Sequence, residues 1–239
     1  MILKRCLSIL SLAAASLPAV AADIDQLQAL GQAQFRLLSE DLGAALSYKP
    51  LTPTEPLGVT GFDIGIAATS TKLQNSTVFN DASTGDFSIS SAIVPSLRVH
   101  KGLPFGIDIG AMYGAVPSTN IKLLGAELRY AVVEGGTAIP AIGIRGSYTK
   151  LTGVDQLDFD TKGVDLSISK GFLIFTPYAG IGKVWTVSTP NVNNLSKESF
   201  SLNKAFVGVN LNFGLVNVAL EGDKTGDASS YGAKLGFRF

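Results

Sequence analysis

Apolar and polar residues alternate along this chain with two different periods. From Asp23 to about Ser47, apolar residues return every three or four positions, with Ile24, Leu27, Leu30, Leu38, Leu42 and Ala45 on one face. Asp25, Gln32, Arg36 and Glu40 lie opposite, so the spacing predicts a short amphipathic helix. A linker follows, Lys49 to Pro56, in which Pro50, Pro53 and Pro56 exclude both helix and central strand. From residue 58 to Phe239 the period is two.

That second pattern divides into ten candidate strands, at about 58–72, 86–100, 104–116, 121–133, 138–150, 157–170, 174–188, 200–213, 215–224 and 229–239. The first sets Phe62, Ile64, Ile66 and Ala68 against Gly61, Asp63, Gly65 and Ala67. The fourth sets Leu124, Ala126, Leu128 and Tyr130 against Gly125, Glu127 and Arg129. The sixth is regular only over Val164, Leu166 and Ile168; Phe159 is out of phase and reads as a bulge or a strand end in water. In the seventh, Lys183 shares the parity of Ile181 and Trp185, which suits a side chain snorkelling to an interface.

One face of each strand suits lipid and the other a polar interior. After the first strand begins, no apolar run is long enough for a spanning helix, although mean hydropathy is high at +0.31. Lipid admits only helices and closed sheets, because every backbone hydrogen bond must be made internally. The expected fold is therefore all-β, an antiparallel transmembrane barrel of about ten strands preceded by the short helix. The even strand number puts both mature termini on the periplasmic side. Connections after even-numbered strands are short, such as Lys101-Gly102-Leu103 and Gly214. Those after odd-numbered strands are mostly longer and polar, as at 73–85 and 188–199, and suit extracellular loops. Pro117 to Asn120 is short for that side.

The N-terminus adds a compartment. Lys4 and Arg5 precede an apolar stretch from Cys6 to Leu17 and a Pro18-Ala19-Val20-Ala21-Ala22 site, the pattern of a signal peptide cleaved after Ala21. The stretch is shorter than a spanning helix, and Cys6 is badly placed for lipidation. It is the chain's one cysteine, so the mature protein carries no disulfide or thiolate chemistry. The expected division is a signal peptide at 1–21, helix and linker at 22–57, and barrel at 58–239. The mature chain is close to neutral, which gives no basis for a nucleic-acid partner.

The last strand is the most specific feature: Tyr231, Ala233, Leu235, Phe237 and Phe239 recur at every second position back from a terminal aromatic. It resembles the C-terminal targeting signal of Gram-negative outer-membrane proteins. The runs Lys101 to Gly106 and Thr176 to Ile181 are similar to runs in uncharacterised proteobacterial outer-membrane proteins. The resemblance implies residence in the outer membrane, contact with its lipid and lipopolysaccharide, and recognition by the barrel-assembly machinery during biogenesis. A monomer is expected. A soluble lipocalin-like barrel would invert the faces. Against it, the glycines share a face with the charged residues and supply no core volume.

Nine inward positions are charged: Asp63, Arg98, Asp108, Glu127, Arg129, Arg145, Asp165, Glu221 and Lys234. A selectivity filter would show an excess of one sign; these nearly cancel and read as a lumen network that fills the interior and fixes register. The chain's one histidine, His100, falls at the periplasmic end of the second strand, away from the outer-leaflet position where outer-membrane hydrolases place theirs. No catalytic, cofactor or metal site is expected. Two roles fit: a structural or surface-interaction barrel acting through loops such as Gln74 to Asn80, or a narrow pore or carrier for small solutes. The helix, about 10–12 Å across, looks too wide to thread a charged ten-stranded bore, so it is expected as a cap at the periplasmic mouth or at the interface.

Overall fold

The computed structural model describes residues 23–83, 89–116 and 121–239; the expected signal peptide, Phe87 and the link Pro117 to Asn120 lie outside them. Ten antiparallel strands form a closed barrel. They are β1 (Phe62–Lys72), β2 (Ser91–Gly102), β3 (Ile107–Ala115), β4 (Lys122–Val133), β5 (Ala141–Thr152), β6 (Leu157–Ser169), β7 (Phe175–Pro190), β8 (Glu198–Phe213), β9 (Val216–Thr225) and β10 (Ala228–Arg238). Each strand pairs with its sequence neighbours, and β1 with β10 closes the ring. Every strand keeps the predicted phase.

The β2–β3, β4–β5, β6–β7 and β8–β9 links lie at one end, called here the turn end, and the other is the loop end; the expectation of longer links there holds for β1–β2 but not for β5–β6 or β9–β10, where 153–156 and 226–227 are tight turns shorter than the 134–140 link of β4–β5. Phe105, placed by its pattern at the head of the third strand, lies instead in the β2–β3 turn, where it and Gly106 take left-handed φ angles of 66° and 70°. The bulge expected near Phe159 is absent from β6, whose register with both neighbours is continuous. The register shift lies in β4, between Ala131 and Val133.

The barrel is apolar outside, and its interior is charged toward the turn end and apolar toward the loop end. Ile66, Leu97, Leu128, Ile144, Leu166, Val207 and Leu220 are exposed on its wall, while 63, 98, 108 and the other charged positions are buried within. This is the polarity of a wall solvated by hydrocarbon. The β1–β10 seam ends in reciprocal bonds: Phe62 N–H donates to Phe239 O at 2.7 Å and Phe239 N–H to Phe62 O at 3.0 Å.

Helix α1 (Gln32–Leu46) follows a 3-10 turn at Leu27–Ala29. Gly31 interrupts the predicted longer helix; its N–H donates to Gln34 Oε1 at 2.9 Å, which fixes the first turn. At the other end the Ser47 hydroxyl and the Lys49 ammonium both donate to Ala44 O, at 2.9 Å each. A second short helix, α2 (Ser76–Asp81), lies in the β1–β2 loop.

Candidate functional site

The bore of the barrel is occupied by the chain's own N-terminal segment. Residues 24–31 lie at the loop end: Leu27 N–H donates to Gln156 Oε1 at 3.0 Å, and Asn194 Nδ2 to Leu30 O at 3.2 Å. α1 lies inside the loop-end half of the barrel, with Ser39 Oγ donating to Ser188 Oγ of β7 at 2.8 Å. Lys49 to Leu57 then descends through the lumen, and the chain enters β1 at the turn end.

The expectation of a cap at the periplasmic mouth, or of an interfacial helix, is therefore overturned. Two physical reasons account for it. First, the apolar face of α1 does not meet the charges. Leu27, Leu30, Phe35, Leu38, Leu42 and Leu46 pack with Val94, Met112, Leu123, Leu151, Leu157 and Phe159, which point inward from the loop-end portions of the wall. Phe159 is out of phase with the lipid face because it belongs to this core. Second, only a single non-helical stretch of backbone, turned at Leu51 by a left-handed φ of 49°, crosses the charged layer, and it needs less width than a helix with its side chains. Pro50, Pro53 and Pro56 suit it, since each removes an N–H that the lumen would have to satisfy.

The first described residues and Phe239 consequently lie at opposite ends, so the expectation that both mature termini share the periplasmic side does not hold for Asp23 onward.

All nine charged lumen positions predicted from sequence are buried, and their partners divide into two sets. One joins wall to wall. Lys234 Nζ lies 2.7 Å from Asp63 Oδ2, Arg145 Nε 3.1 Å from Asp165 Oδ2, and Arg145 Nη1 3.4 Å from Glu127 Oε2. The other binds the threaded segment. Arg98 donates to Lys49 O at 2.6 Å, and Arg129 to Pro53 O at 2.7 Å while pairing Asp108 at 2.8 Å. Glu221 accepts from Leu51 N–H at 2.8 Å and Asp108 from Leu57 N–H at 3.1 Å. The network is thus a backbone-binding sleeve as much as a filler.

Sequence reasoning missed several members. Lys204 of β8 donates to Tyr48 O at 2.6 Å; Lys49 pairs with Asp223 at 2.7 Å; the Tyr178 hydroxyl donates to Glu221 at 2.9 Å; Arg238 reaches Asp63 at 3.4 Å. Strand parity already places Lys204 and Tyr178 inward. Lys49 carries no such mark, because its linker has no period. His100 lies near the turn end of β2, opposite Asp63, with its ring buried 3.2 Å from Glu127 Oε1. Among the described residues no three His, Cys, Asp or Glu side chains group as metal ligands.

At the loop end Asp41 of α1 accepts from the N–H groups of Gln74 at 3.0 Å and Asn75 at 2.7 Å. Burial holds its carboxyl above the usual carboxylate range, against these two amides, which favour the ionised form. Gln74 to Asn80, expected to act as a free surface loop, is thereby tied to the inserted helix, and Val78 and Phe79 are buried.

No family model matches the sequence, and no curated protein matches it. Among solved structures, the chain is similar to the N-terminal β-barrel domain of Pseudomonas aeruginosa OprF, with 14% identity over 74% of this chain and 97% of that one and a TM-score of 0.36. The outer membrane protease OmpT from Escherichia coli aligns with 9% identity over 75% of this chain and 95% of that one, with a TM-score of 0.37. The translocator domain of the autotransporter NalP from Neisseria meningitidis does so with 10% identity over 86% and 93%, with a TM-score of 0.38. The chain's own geometry, a closed antiparallel ring with an apolar wall and a charged bore, is that of an outer-membrane type of β-barrel.

Proposed function

We propose that this protein is an integral outer-membrane barrel, closed along its bore by its own N-terminal segment, with a structural or surface-interaction role at the loop end and no enzymatic activity. The loop end faces outward in this reading, the signal peptide is removed after Ala21, the protein is a monomer, and the barrel-assembly machinery reads its last strand. The observation that carries the closed bore is the route of Tyr48 to Leu57, whose backbone carbonyls and amides are engaged by Arg98, Arg129, Lys204, Asp108 and Glu221. A backbone segment lying along a ten-stranded bore occupies the space that a solute path would need. The inserted helix also contacts both the β1–β2 and β7–β8 loops, through Asp41 to Gln74 and Asn75 and through Gln32 Nε2, which donates to Ser196 O at 3.1 Å.

A gated pore is the second reading. It is favoured by the composition of the threaded layer, where the contacts below α1 are ion pairs and hydrogen bonds instead of apolar packing, and so are exchangeable for water. Single-channel recording in a planar bilayer separates the two. The full chain is expected to be silent under applied voltage, whereas a variant lacking residues 23–57 that still shows heat-modifiable folding is expected to conduct. Steady openings of the full chain would establish the pore.

A further inference from the structure

We propose that a belt of six lysines on the outer wall binds the phosphate groups of lipids packed against the loop end of the barrel. Lys72, Lys122, Lys150, Lys162, Lys183 and Lys224 are all exposed and share the outward parity of their strands. The register shows that they lie at one height. Hydrogen-bonded partners lead from Tyr130, near the turn end of β4, through Ile144, Leu166, Ile181 and Ala205 to Lys224 and Ser229, near the loop end of β9 and β10. Lys72 pairs with Ser91 at the adjoining loop-end limits of β1 and β2. The ladder therefore climbs the barrel as it goes round, as tilted strands require.

On β4 to β7 the lysines move one outward position toward the turn end per strand. Lys122 pairs with Thr152, Lys150 with Leu124, Lys162 with Tyr148, and Lys183 with Val164. That descent offsets the climb. With about 3.4 Å per residue and a tilt near 40°, the six positions fall within roughly 7 Å along the barrel axis.

Three further observations give the belt its chemistry. Trp185, Tyr148, Tyr113 and Tyr231 lie exposed on the same part of the wall, the residue types that settle at a membrane–water boundary. Among the described residues, the outward acids nearby are Asp160, opposite Lys150, Asp158, nearer the loops, and Asp227 in the turn beyond Lys224, so the six lysines outnumber them. Among the described residues no ion pair engages any of the six ammonium groups. A lysine with its stem along an apolar wall and its charge at the boundary is placed to meet a lipid-borne phosphate.

This inference rests on the membrane reading of the barrel, and is independent of whether the bore conducts. Trp185 is the chain's one tryptophan and pairs directly with Lys162, so its fluorescence reports the belt. The full protein is refolded into vesicles containing equal parts phosphatidylglycerol and phosphatidylcholine, with brominated acyl chains on one lipid or the other. Failure of even brominated phosphatidylcholine vesicles to quench Trp185, or of the barrel to become heat-modifiable, would count against the membrane reading itself. With insertion established, brominated phosphatidylglycerol is expected to occupy the Trp185 annulus roughly three- to fivefold over its bulk share. Lys162→Gln with Lys183→Gln is expected to abolish the preference while leaving heat-modifiability unchanged. Equal quenching by both lipids overturns the proposal. So does loss of the preference on adding inorganic phosphate at matched ionic strength, which would assign the belt to a free anion.

Discussion

Replacing Arg129 by Ala tests how firmly the wall holds the threaded segment. The guanidinium pairs with Asp108 at 2.8 Å, donates to Pro53 O at 2.7 Å and lies 3.4 Å from Glu127. Each charge-assisted bond is worth about 1.5–3 kcal/mol, and removing one partner of a buried pair costs about 3–5 kcal/mol where the other charge is stranded. Here the stranding is partial. Asp108 keeps the Leu57 N–H at 3.1 Å, and Glu127 keeps Arg145 at 3.4 Å. The expected loss is therefore about 3 kcal/mol. Asp165 is unaffected, because its cations are Arg145 and Lys204. The assay is urea unfolding of the refolded barrel in lipid vesicles, followed by heat-modifiable gel migration. Adding Asp108→Asn to Arg129→Ala should restore about 1–2 kcal/mol by removing the stranded charge, a coupling that a double-mutant cycle isolates. The reasoning is refuted if Arg129→Ala stays within about 1 kcal/mol of the wild type, or if the two substitutions add without coupling.

Three other outcomes are expected. Gly43 of α1 faces the wall so closely that an added Cβ would lie 2.8 Å from Thr186 Oγ1 and 3.3 Å from Leu202; Gly43→Leu should cost about 1–3 kcal/mol by overpacking, and an unchanged urea midpoint would contradict the seating of the helix. Deleting Phe239 removes both seam-closing bonds to Phe62 and should lower the yield of heat-modifiable barrel at chromosomal-level expression, whereas unchanged assembly would deny it a role. Since the folded carboxyl of Asp41 holds its proton more tightly than an unfolded one, its contribution is present at low pH and lost as pH rises through the raised folded value. The wild type should accordingly lose stability relative to Asp41→Asn on going from acid toward neutral pH, and the opposite trend in urea midpoints would reverse the assignment.

The wall was legible in the sequence because alternation is enforced at nearly every residue by lipid on one side and a polar bore on the other. Hence the phases of all ten strands, the nine charged lumen positions and the outward row ending at Phe239 follow from parity. The contents of the bore did not follow, because no period connects a linker to the residues it touches. The clue was present in the exceptions: Phe159 and Leu157 on β6, Leu151 on β5 and Met112 on β3 are apolar at inward positions. Together they form the surface that the apolar face of α1 needs. A helix is too wide for the charged layer, but the chain keeps its helix in the loop-end half and crosses the narrow part as a single non-helical segment with three prolines.

The central claim, that α1 sits inside the loop-end half of the barrel, is tested most directly by a disulfide. Cys6 is the chain's one cysteine and precedes the expected cleavage site, so a pair introduced by Ser39→Cys and Ser188→Cys would be alone in the mature protein. The two hydroxyl oxygens lie 2.8 Å apart in the structure, a placement from which two thiols can reach bonding geometry with little backbone movement. Mild oxidation of the folded double variant in vesicles should give a quantitative, reductant-sensitive gel shift that is absent from either single variant. Free thiols at both positions after oxidation, in a barrel that is heat-modifiable and otherwise folded, would contradict the inserted helix.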